Sequence, residues 1–109
     1  MNAAGLLWWL IVGHALADFV LQGEVMALGK NRNLPSRTGV PWFYWLGAHA
    51  LVQGGAVAIV LDSPALGLAE AIAHWTIDFG KCDEWYGFNT DQILHGVCKL
   101  AWVLIFFLA

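Results

Sequence analysis

Three pairs of one histidine and one aspartate, each pair four residues apart, are the residues of this sequence best suited to chemistry. The pairs are His14–Asp18, His74–Asp78 and Asp91–His95. A separation of four places both side chains on one face of a helix. A fourth histidine, His49, has no such partner. Imidazole and carboxylate together form the usual ligand set for zinc, iron and manganese, so the pattern indicates a metal site.

The composition predicts that these pairs lie in a membrane. Of the 109 residues, 60% are hydrophobic and 12% are charged, whereas soluble domains average about 25% charged residues. A soluble chain this short could not bury so much apolar surface, because small domains have the largest surface for their volume. Seven tryptophans suit the membrane–water interface. The net charge of −3 and the lack of a basic run exclude nucleic acid and favour membrane lipid as the partner.

The hydropathy pattern predicts an all-α, polytopic membrane protein with one domain, 1–109. We expect four short transmembrane helices, arranged as two hairpins, at about 4–27, 41–61, 65–81 and 91–109. Gly47, Gly54 and Gly55 would allow another helix to approach closely. Residues 15–17 read A-x-A, as before a signal cleavage site, but no Lys or Arg precedes them, so we expect the first helix to be retained.

The cationic residues predict the orientation in the bilayer. Lys30, Arg32 and Arg37 lie in the first loop and Lys81 begins the third, whereas the turn at 62–64 has no cation. By the positive-inside rule, both long loops are cytoplasmic and both termini lie outside, in the bacterial inner membrane. Counting inward at 1.5 Å per residue then places four residues in one layer, roughly 9–15 Å from the cytoplasmic ends. They are Asp18, His49, His74 and His95, while His14 lies somewhat deeper and Asp78 and Asp91 are shallower.

Residues 14–19 and 74–79 share the pattern H-x3-D-F. Each segment is followed by a loop and then by a helix with one histidine, His49 or His95. The pattern is consistent with an internal duplication of one helical hairpin, or with chance, because few residues match.

The spacing and depth suggest a role for each polar residue. The expected metal ligands are His14, Asp18, His74 and His95. The candidate catalytic groups are Asp78 and Asp91 as bases and His49 as a proton donor or fourth imidazole ligand. The candidates for holding an anionic head group are Lys81 and Lys30. The expected ion is zinc, with iron or manganese as alternatives. The structural alternative is that each His–Asp pair is a hydrogen-bonded pair that pins helices together.

The remaining polar residues of the helices have simpler interpretations. We expect Glu70 to lie near the outer end, where it caps a helix or faces water. Gln22 and Gln92 would link helices through hydrogen bonds. Lys81 and Lys99 would otherwise extend along the bilayer toward water. Cys82 and Cys98 lack a metal-binding or redox spacing and are expected to be reduced.

The motifs H-x3-D-F-x2-Q at 14–22, H-x3-D at 74–78 and D-Q-x2-H at 91–95 occur in this order. In this the sequence resembles an uncharacterised family of small bacterial and phage membrane proteins, classed as a domain of unknown function. The resemblance covers nearly the whole chain. It implies a polytopic inner-membrane protein and no accepted activity. The His/Asp pattern is also loosely similar to membrane-bound metal-dependent hydrolases, which is an analogy only.

Three functions fit these residues. The leading hypothesis is a membrane-embedded metal-dependent hydrolase at the cytoplasmic leaflet, acting on a lipid or lipid-linked phosphate ester, with metal-bound water as nucleophile. The second is a proton or metal-ion transport element that uses the same residues. The third is a non-catalytic membrane interaction protein. Because four short helices are few for so many polar groups, self-association as a homo-oligomer is also expected.

Overall fold

The computed structural model describes residues 1–109 and consists of helices and their connections, without strands. The α-helices are α1 (Ala3–Ala15), α2 (Glu24–Gly29), α3 (Trp42–Leu61), α4 (Pro64–Cys82) and α5 (Phe88–Leu108). A π-helical segment, Leu16–Val20, directly continues α1. The predicted all-α class is confirmed.

The first helix differs from the single helix expected at about 4–27, because it is interrupted after the π-helical segment. The Leu21 N–H donates to the Leu16 carbonyl, five residues back, which widens the turn around Asp18. Gly23 is extended, with φ −73° and ψ 169°, and redirects the chain into α2. π-Helical turns are frequent at functional sites, and this one positions Asp18.

Three segments are long and apolar enough to cross a membrane: Ala3–Val20, Trp42–Leu61 and Phe88–Leu108. The fourth long helix, α4, carries three charged residues and is not among them. The molecule presents large apolar side chains outward, with Ile59 83% exposed, while polar side chains such as His74 are fully buried. This reversal of the usual soluble pattern is compatible with a membrane environment.

The tight turn predicted at Asp62-Ser63-Pro64 joins α3 to α4. Asp62 ends α3 in the left-handed conformation, with φ 47°. Ser63 Oγ accepts from the Leu66 N–H at 3.2 Å, and Pro64 occupies the first turn of α4. Because the turn is so short, α3 and α4 must run antiparallel side by side.

Two glycines allow α3 and α4 to approach closely. A Cβ added to Gly54 would lie 2.5 Å from the Gly67 carbonyl oxygen, and one added to Gly67 would lie 2.7 Å from the Gly54 oxygen. The close approach expected at Gly54 is therefore present. Gly47 and Gly55 have open space where a Cβ would be, so they do not contribute to this contact.

The interior changes from apolar to polar along the helices. One end holds an apolar cluster of Leu6, Leu10, Val57, Leu61 and Val103. The other end, near the α2–α3 and α4–α5 connections, holds the histidines and carboxylates. Both ends belong to one buried face of α5, whose buried residues recur every four positions from Asp91 to Val103. The helical repeat thus carries the polar residues into a common interior layer.

Candidate metal centre

Four side chains from α1's π-helical extension, α3 and α4 converge on one point. The four atoms are Asp18 Oδ1, His49 Nε2, His74 Nε2 and Asp78 Oδ2. The Nε2 atom of His49 lies 2.9 Å from Asp18 Oδ1, 3.3 Å from Asp78 Oδ2 and 3.2 Å from His74 Nε2. The Nε2 atom of His74 lies 3.6 Å from Asp18 Oδ1 and 3.4 Å from Asp78 Oδ2. We call these four residues the quartet.

Five separations within the quartet are close to those around a tetrahedral metal ion. Ligands about 2.0–2.1 Å from a tetrahedral zinc are separated by about 3.3 Å, and the two imidazole nitrogens lie 2.9–3.6 Å from each other and from the two carboxylate oxygens. Of the quartet, Asp18, His49 and His74 have ligand atoms that all lie within 4.8 Å of one another, whereas Asp78 groups with Asp91 and His95. Two of the four atoms also accept hydrogen bonds from the protein: Asp18 Oδ1 from Gln53 Nε2 at 3.0 Å and Asp78 Oδ2 from Lys30 Nζ at 2.8 Å. A cation at the centre would satisfy all four donor atoms together.

The ring of His74 is held from behind by Glu70. The Nδ1 atom of His74 lies 3.3 Å from Glu70 Oε1, leaving Nε2 free to face the quartet. Glu70 also accepts from Trp102 Nε1 at 2.6 Å and from the Lys99 ammonium. A carboxylate behind a ligand histidine is the usual support of zinc-bound imidazole. The expectation that Glu70 caps a helix or faces water is wrong, because it is fully buried.

A second group adjoins the quartet through the other oxygen of Asp78. The Nε2 atom of His95 lies 3.1 Å from Asp78 Oδ1 and 3.3 Å from Asp91 Oδ1. Asp91 is 4% exposed, and its Oδ1 has no hydrogen-bond partner. A buried anionic oxygen without a donor is costly, so this position also favours a cation.

His14 and Gln92 form the least buried edge of the cluster. The imidazole of His14 bonds Gln92 Oε1 through Nε2 at 3.1 Å and lies 3.4 Å from Asp18 Oδ2. The Gln92 amide donates to Asp18 Oδ2 at 3.1 Å and to Asp91 Oδ2 at 3.0 Å. The His14 side chain is 12% exposed. Gln92 thus links α1 to α5, as expected for it.

Two lysines are buried in the cluster. Lys30, which follows α2, donates from Nζ to Asp78 Oδ2 at 2.8 Å and is 7% exposed. Lys99 on α5 is 1% exposed beside Glu70, so it does not extend toward water as expected. Lys81, at the last turn of α4, is partly exposed.

The buried charges of the cluster balance only if two imidazoles are protonated or a cation binds. The buried charged side chains are Asp18, Lys30, Glu70, Asp78, Asp91 and Lys99. With neutral imidazoles, four carboxylates and two ammonium groups leave two negative charges. Unpaired buried charge costs several kcal/mol per ion, and one divalent cation would neutralise the excess.

The chain matches a family described as "Protein of unknown function (DUF3307)" over residues 6–109. The chain belongs to this family. The match confirms the resemblance to an uncharacterised family and spans the quartet and the second group. No curated protein and no solved structure matches the chain.

In this DUF3307 chain the structure brings together most of the residues singled out by spacing. The cluster contains His14, Asp18, His49, His74, Asp78, Asp91 and His95, with Lys30 beside them. Lys81 lies outside the hydrogen-bonded cluster. The structure divides these residues into groups that the sequence spacing did not indicate. His49 and His74 lie together in one group, and His95 and Asp91 lie together in another.

Glu70 and Lys99 are the members whose roles sequence reasoning missed. The sequence spacing could have indicated both. Glu70 is four residues before His74 and Lys99 is four residues after His95, so each lies on the same helix face as a histidine of the cluster. Gln53 also belongs, since its amide donates to Asp18 Oδ1 at 3.0 Å. Sequence spacing shows which residues share a helix face, but not that partners come from different helices.

An ion pair outside the spans closes the polar end of the fold. Arg32 donates to Asp83 from Nε at 3.0 Å and from a terminal nitrogen at 2.5 Å. Asn33 Nδ2 also donates to this carboxylate, at 2.9 Å. The Arg32 hydrogen bonds hold the pKa of Asp83 below its usual value. Arg32 further lies 4.7 Å from the ring centre of Phe79. The contact ties the α2–α3 loop to the end of α4, next to Lys30.

Proposed function

We propose that this protein is a membrane-embedded metal-dependent hydrolase that acts on a lipid or lipid-linked phosphate ester. The observation that carries the proposal is the quartet, in which two imidazole nitrogens lie 2.9–3.6 Å from each other and from a carboxylate oxygen of Asp18 and of Asp78, near the ~3.3 Å between the ligands of a tetrahedral zinc. Zinc suits two imidazoles and two carboxylates, and iron or manganese are the alternatives. The two excess negative charges that the cluster carries with neutral imidazoles also support a divalent cation.

We propose further that α4 crosses the bilayer with the three apolar helices, giving four spans in two hairpins. Its 19 residues extend about 28 Å at 1.5 Å per residue, close to the ~30 Å hydrocarbon core. Leu68 and Ile72 point outward and are exposed, whereas Glu70 and Asp78 are buried. In this topology both termini lie outside, and the metal centre lies near the cytoplasmic leaflet, because the cationic loops mark that side.

The chemistry follows from the residues around the centre. A bound divalent ion lowers the pKa of a coordinated water and so supplies hydroxide near neutral pH. Asp91 Oδ1, which has no hydrogen-bond partner, can accept the proton of that water. In the proposed hydrolysis the water oxygen would bond to phosphorus as the ester P–O bond breaks, and the leaving alkoxide would take up the proton that Asp91 accepted from the water. Gln92, which donates to Asp91 Oδ2, orients the base.

None of the cavities in the structure is lined by a quartet residue, so the route of the substrate is part of the proposal. The largest cavity, about 360 Å³, is an apolar groove between α3 and α4 lined by residues such as Leu51, Leu68 and Trp75, and no quartet residue lines it. His14 and Gln92 are the less buried members of the cluster, so the reacting group would enter between α1 and α5. Lys81, three residues beyond Asp78 on α4, could receive the anionic head group at the cytoplasmic interface.

Lipid turnover in vesicles tests the proposal. The zinc-loaded protein is reconstituted with phosphatidic acid, a monoester, and phosphatidylglycerol, a diester. We expect ester hydrolysis that stops on chelation and falls about 10²–10⁴-fold in Asp91→Asn, the range for loss of a general base. Glu24→Gln, at an exposed carboxylate, is the matched control. Turnover of neither lipid by metal-loaded protein, or turnover unchanged in Asp91→Asn, would contradict the proposal.

Proton or metal-ion transport is the second candidate, and a chain of buried polar contacts favours it. Lys99 contacts Glu70, Glu70 contacts His74, His74 contacts Asp78, and Asp78 contacts Lys30. Such a chain could pass a proton along the helices. Ion flux into liposomes that is abolished by Asp18→Asn, without lipid turnover, would favour transport over hydrolysis.

A further inference from the structure

The first H-x3-D-F repeat places a different imidazole on each oxygen of its aspartate. Asp18 Oδ1 lies 2.9 Å from Nε2 of His49, on the following long helix. Asp18 Oδ2 lies 3.4 Å from Nε2 of His14, four residues earlier. One carboxylate therefore faces two imidazoles on opposite sides.

The second repeat builds the same arrangement. Asp78 Oδ1 lies 3.1 Å from Nε2 of His95, on the following helix, and Asp78 Oδ2 lies 3.4 Å from Nε2 of His74, four residues earlier. If each residue of one repeat is replaced by its equivalent in the other, the quartet maps onto a second set of four atoms. This set consists of Nε2 of His14, Nε2 of His95, Asp18 Oδ2 and Asp78 Oδ1. The distances between the imidazole ring centres are also similar in the two sets, 5.0 Å for His49–His74 and 5.1 Å for His14–His95.

The second set adjoins Asp91, a buried carboxylate with one oxygen that accepts no hydrogen bond. Asp91 Oδ1 lies 3.3 Å from His95 Nε2 and has no hydrogen-bond donor. Asp91 Oδ1, Asp78 Oδ1 and His95 Nε2 are close enough to one another to hold one ion. The quartet has no counterpart to this third carboxylate, so the two positions are related but not equivalent.

We propose that a second divalent ion binds Asp78 Oδ1, Asp91 Oδ1 and His95 Nε2, next to the ion of the quartet and bridged to it by the Asp78 carboxylate. The inference rests on the proposed function, because it assumes that the quartet holds the first ion, and it replaces the role of Asp91 as a base by that of a metal ligand. Three protein ligands leave a coordination position open, as in catalytic sites, whereas an ion of the quartet would have to expand from four to five ligands to hold a water. Gln92, on the less buried edge of the cluster, donates its amide to Asp91.

The charge of the cluster then specifies what binds with the second ion. One divalent ion balances the two excess negative charges of the buried side chains. A second leaves two positive charges, which a dianion must offset if the site is to remain closed to water. A phosphate monoester carries between 1.5 and 2 negative charges at neutral pH, by analogy with phosphorylated side chains. The substrate class is therefore a phosphate monoester dianion. Two adjacent metal ions suit the transfer of its phosphoryl group to water.

Manganese binding measured with and without inorganic phosphate tests this inference. Purified protein in detergent is stripped with a chelator, then titrated with Mn²⁺ and followed by metal content and electron paramagnetic resonance. We expect one Mn²⁺ per chain without phosphate and two with it. The doubly loaded protein should show a spectrum of exchange-coupled ions, because Asp78 bridges them. Asp91→Asn should retain one ion in both conditions, and Glu24→Gln should match the unchanged protein.

Any other result of the manganese titration contradicts one identifiable part of the proposal. One ion with and without phosphate overturns the second site and leaves the quartet standing. No bound ion in either condition overturns the quartet, and with it the proposed function. Two ions without phosphate overturn the coupling to an anion. Two ions that are not exchange-coupled overturn the bridge through Asp78. The unchanged protein gives each of these results, so they do not depend on whether a variant folds.

Discussion

Asp18 and Asp78 stand sixty positions apart in the sequence, yet each places a carboxylate oxygen against the same atom, Nε2 of His49, at 2.9 and 3.3 Å. Two anionic side chains from different helices are thus held together at one imidazole. Two buried carboxylates that face the same imidazole repel each other in a low-dielectric interior, and the Lys30 ammonium beside Asp78 offsets part of that repulsion. A shared cation converts the repulsion into attraction, which is why the quartet is the centre of our account.

Glu70 should control zinc affinity through the ring of His74. In Glu70→Gln the negative charge behind Nδ1 of His74 is lost, and the zinc affinity should fall about 10–100-fold, as for other residues behind ligand histidines. The variant also leaves Lys99 buried without a counter-charge. The measurement is zinc affinity by competition with a chelating dye.

The double variant Glu70→Gln/Lys99→Met separates the two effects, since it removes both charges. We expect it to recover stability against unfolding but not zinc affinity. Recovery of both would show that Glu70 supports the fold alone and does not orient a metal ligand. Glu24→Gln, at an exposed position, serves as the control for losing a carboxylate.

Gly54→Ala and Gly55→Ala should affect stability in opposite directions. A methyl group at Gly54 would lie 2.5 Å from the Gly67 carbonyl and 2.9 Å from Ala71 Cβ, whereas one at Gly55 meets nothing within 4 Å. Both changes favour the helix by up to about 1 kcal/mol, but overpacking at Gly54 costs about 1–3 kcal/mol. Thermal unfolding in detergent should place Gly54→Ala below Gly55→Ala, and equal midpoints would contradict the close packing of α3 on α4.

The Arg32–Asp83 pair should fix the α2–α3 loop only while Asp83 is ionised. The pKa of Asp83 is lowered by Arg32 in the folded protein, so its contribution is complete above the unfolded value of about 3.9. The contribution is lost as the pH falls through the folded pKa. The protection of residues 31–40 against hydrogen exchange, relative to the intrinsic rate at the same pH, should therefore fall in acid, and in Asp83→Asn at neutral pH. Unchanged exchange in Asp83→Asn would show that this pair does not hold the loop; Glu84→Gln, at the exposed neighbour, is the control.

The long helices were predictable because their ends carry strong signals. Pro41 precedes α3, and Asp62-Ser63-Pro64 separates it from α4, so both helices begin and end within about one residue of the predicted positions. The break at 21–23 was not predictable, because a π-helical turn adds one residue without a change in composition.

The members of the cluster were predictable, but their partners were not. Four-residue spacing marks His14 with Asp18 and His74 with Asp78, since it follows from helix geometry alone. The contact of His49 with both aspartates depends on how three helices pack. Glu70 was misjudged for the same reason: the residues that bury it, Lys99 and Trp102, come from α5.

The proposed topology has a direct test in cells. With four spans and the cationic loops inside, a reporter fused after Ala109 should be active only when placed outside the cytoplasm. A reporter inserted at residue 36, between α2 and α3, should report the cytoplasm. Cytoplasmic activity of the Ala109 fusion would refute this topology.

The metal content of the protein tests the central claim most directly. The protein is purified without added ions and its metals are determined by mass spectrometry, beside a His49→Ala/His74→Ala variant and a Glu24→Gln control whose helix content is checked by circular dichroism. We predict at least one divalent ion per chain in the unchanged protein and the control, and a loss of that ion in the double variant. A content well below one per chain, or one that the double variant leaves unchanged, would contradict a metal ion at the quartet.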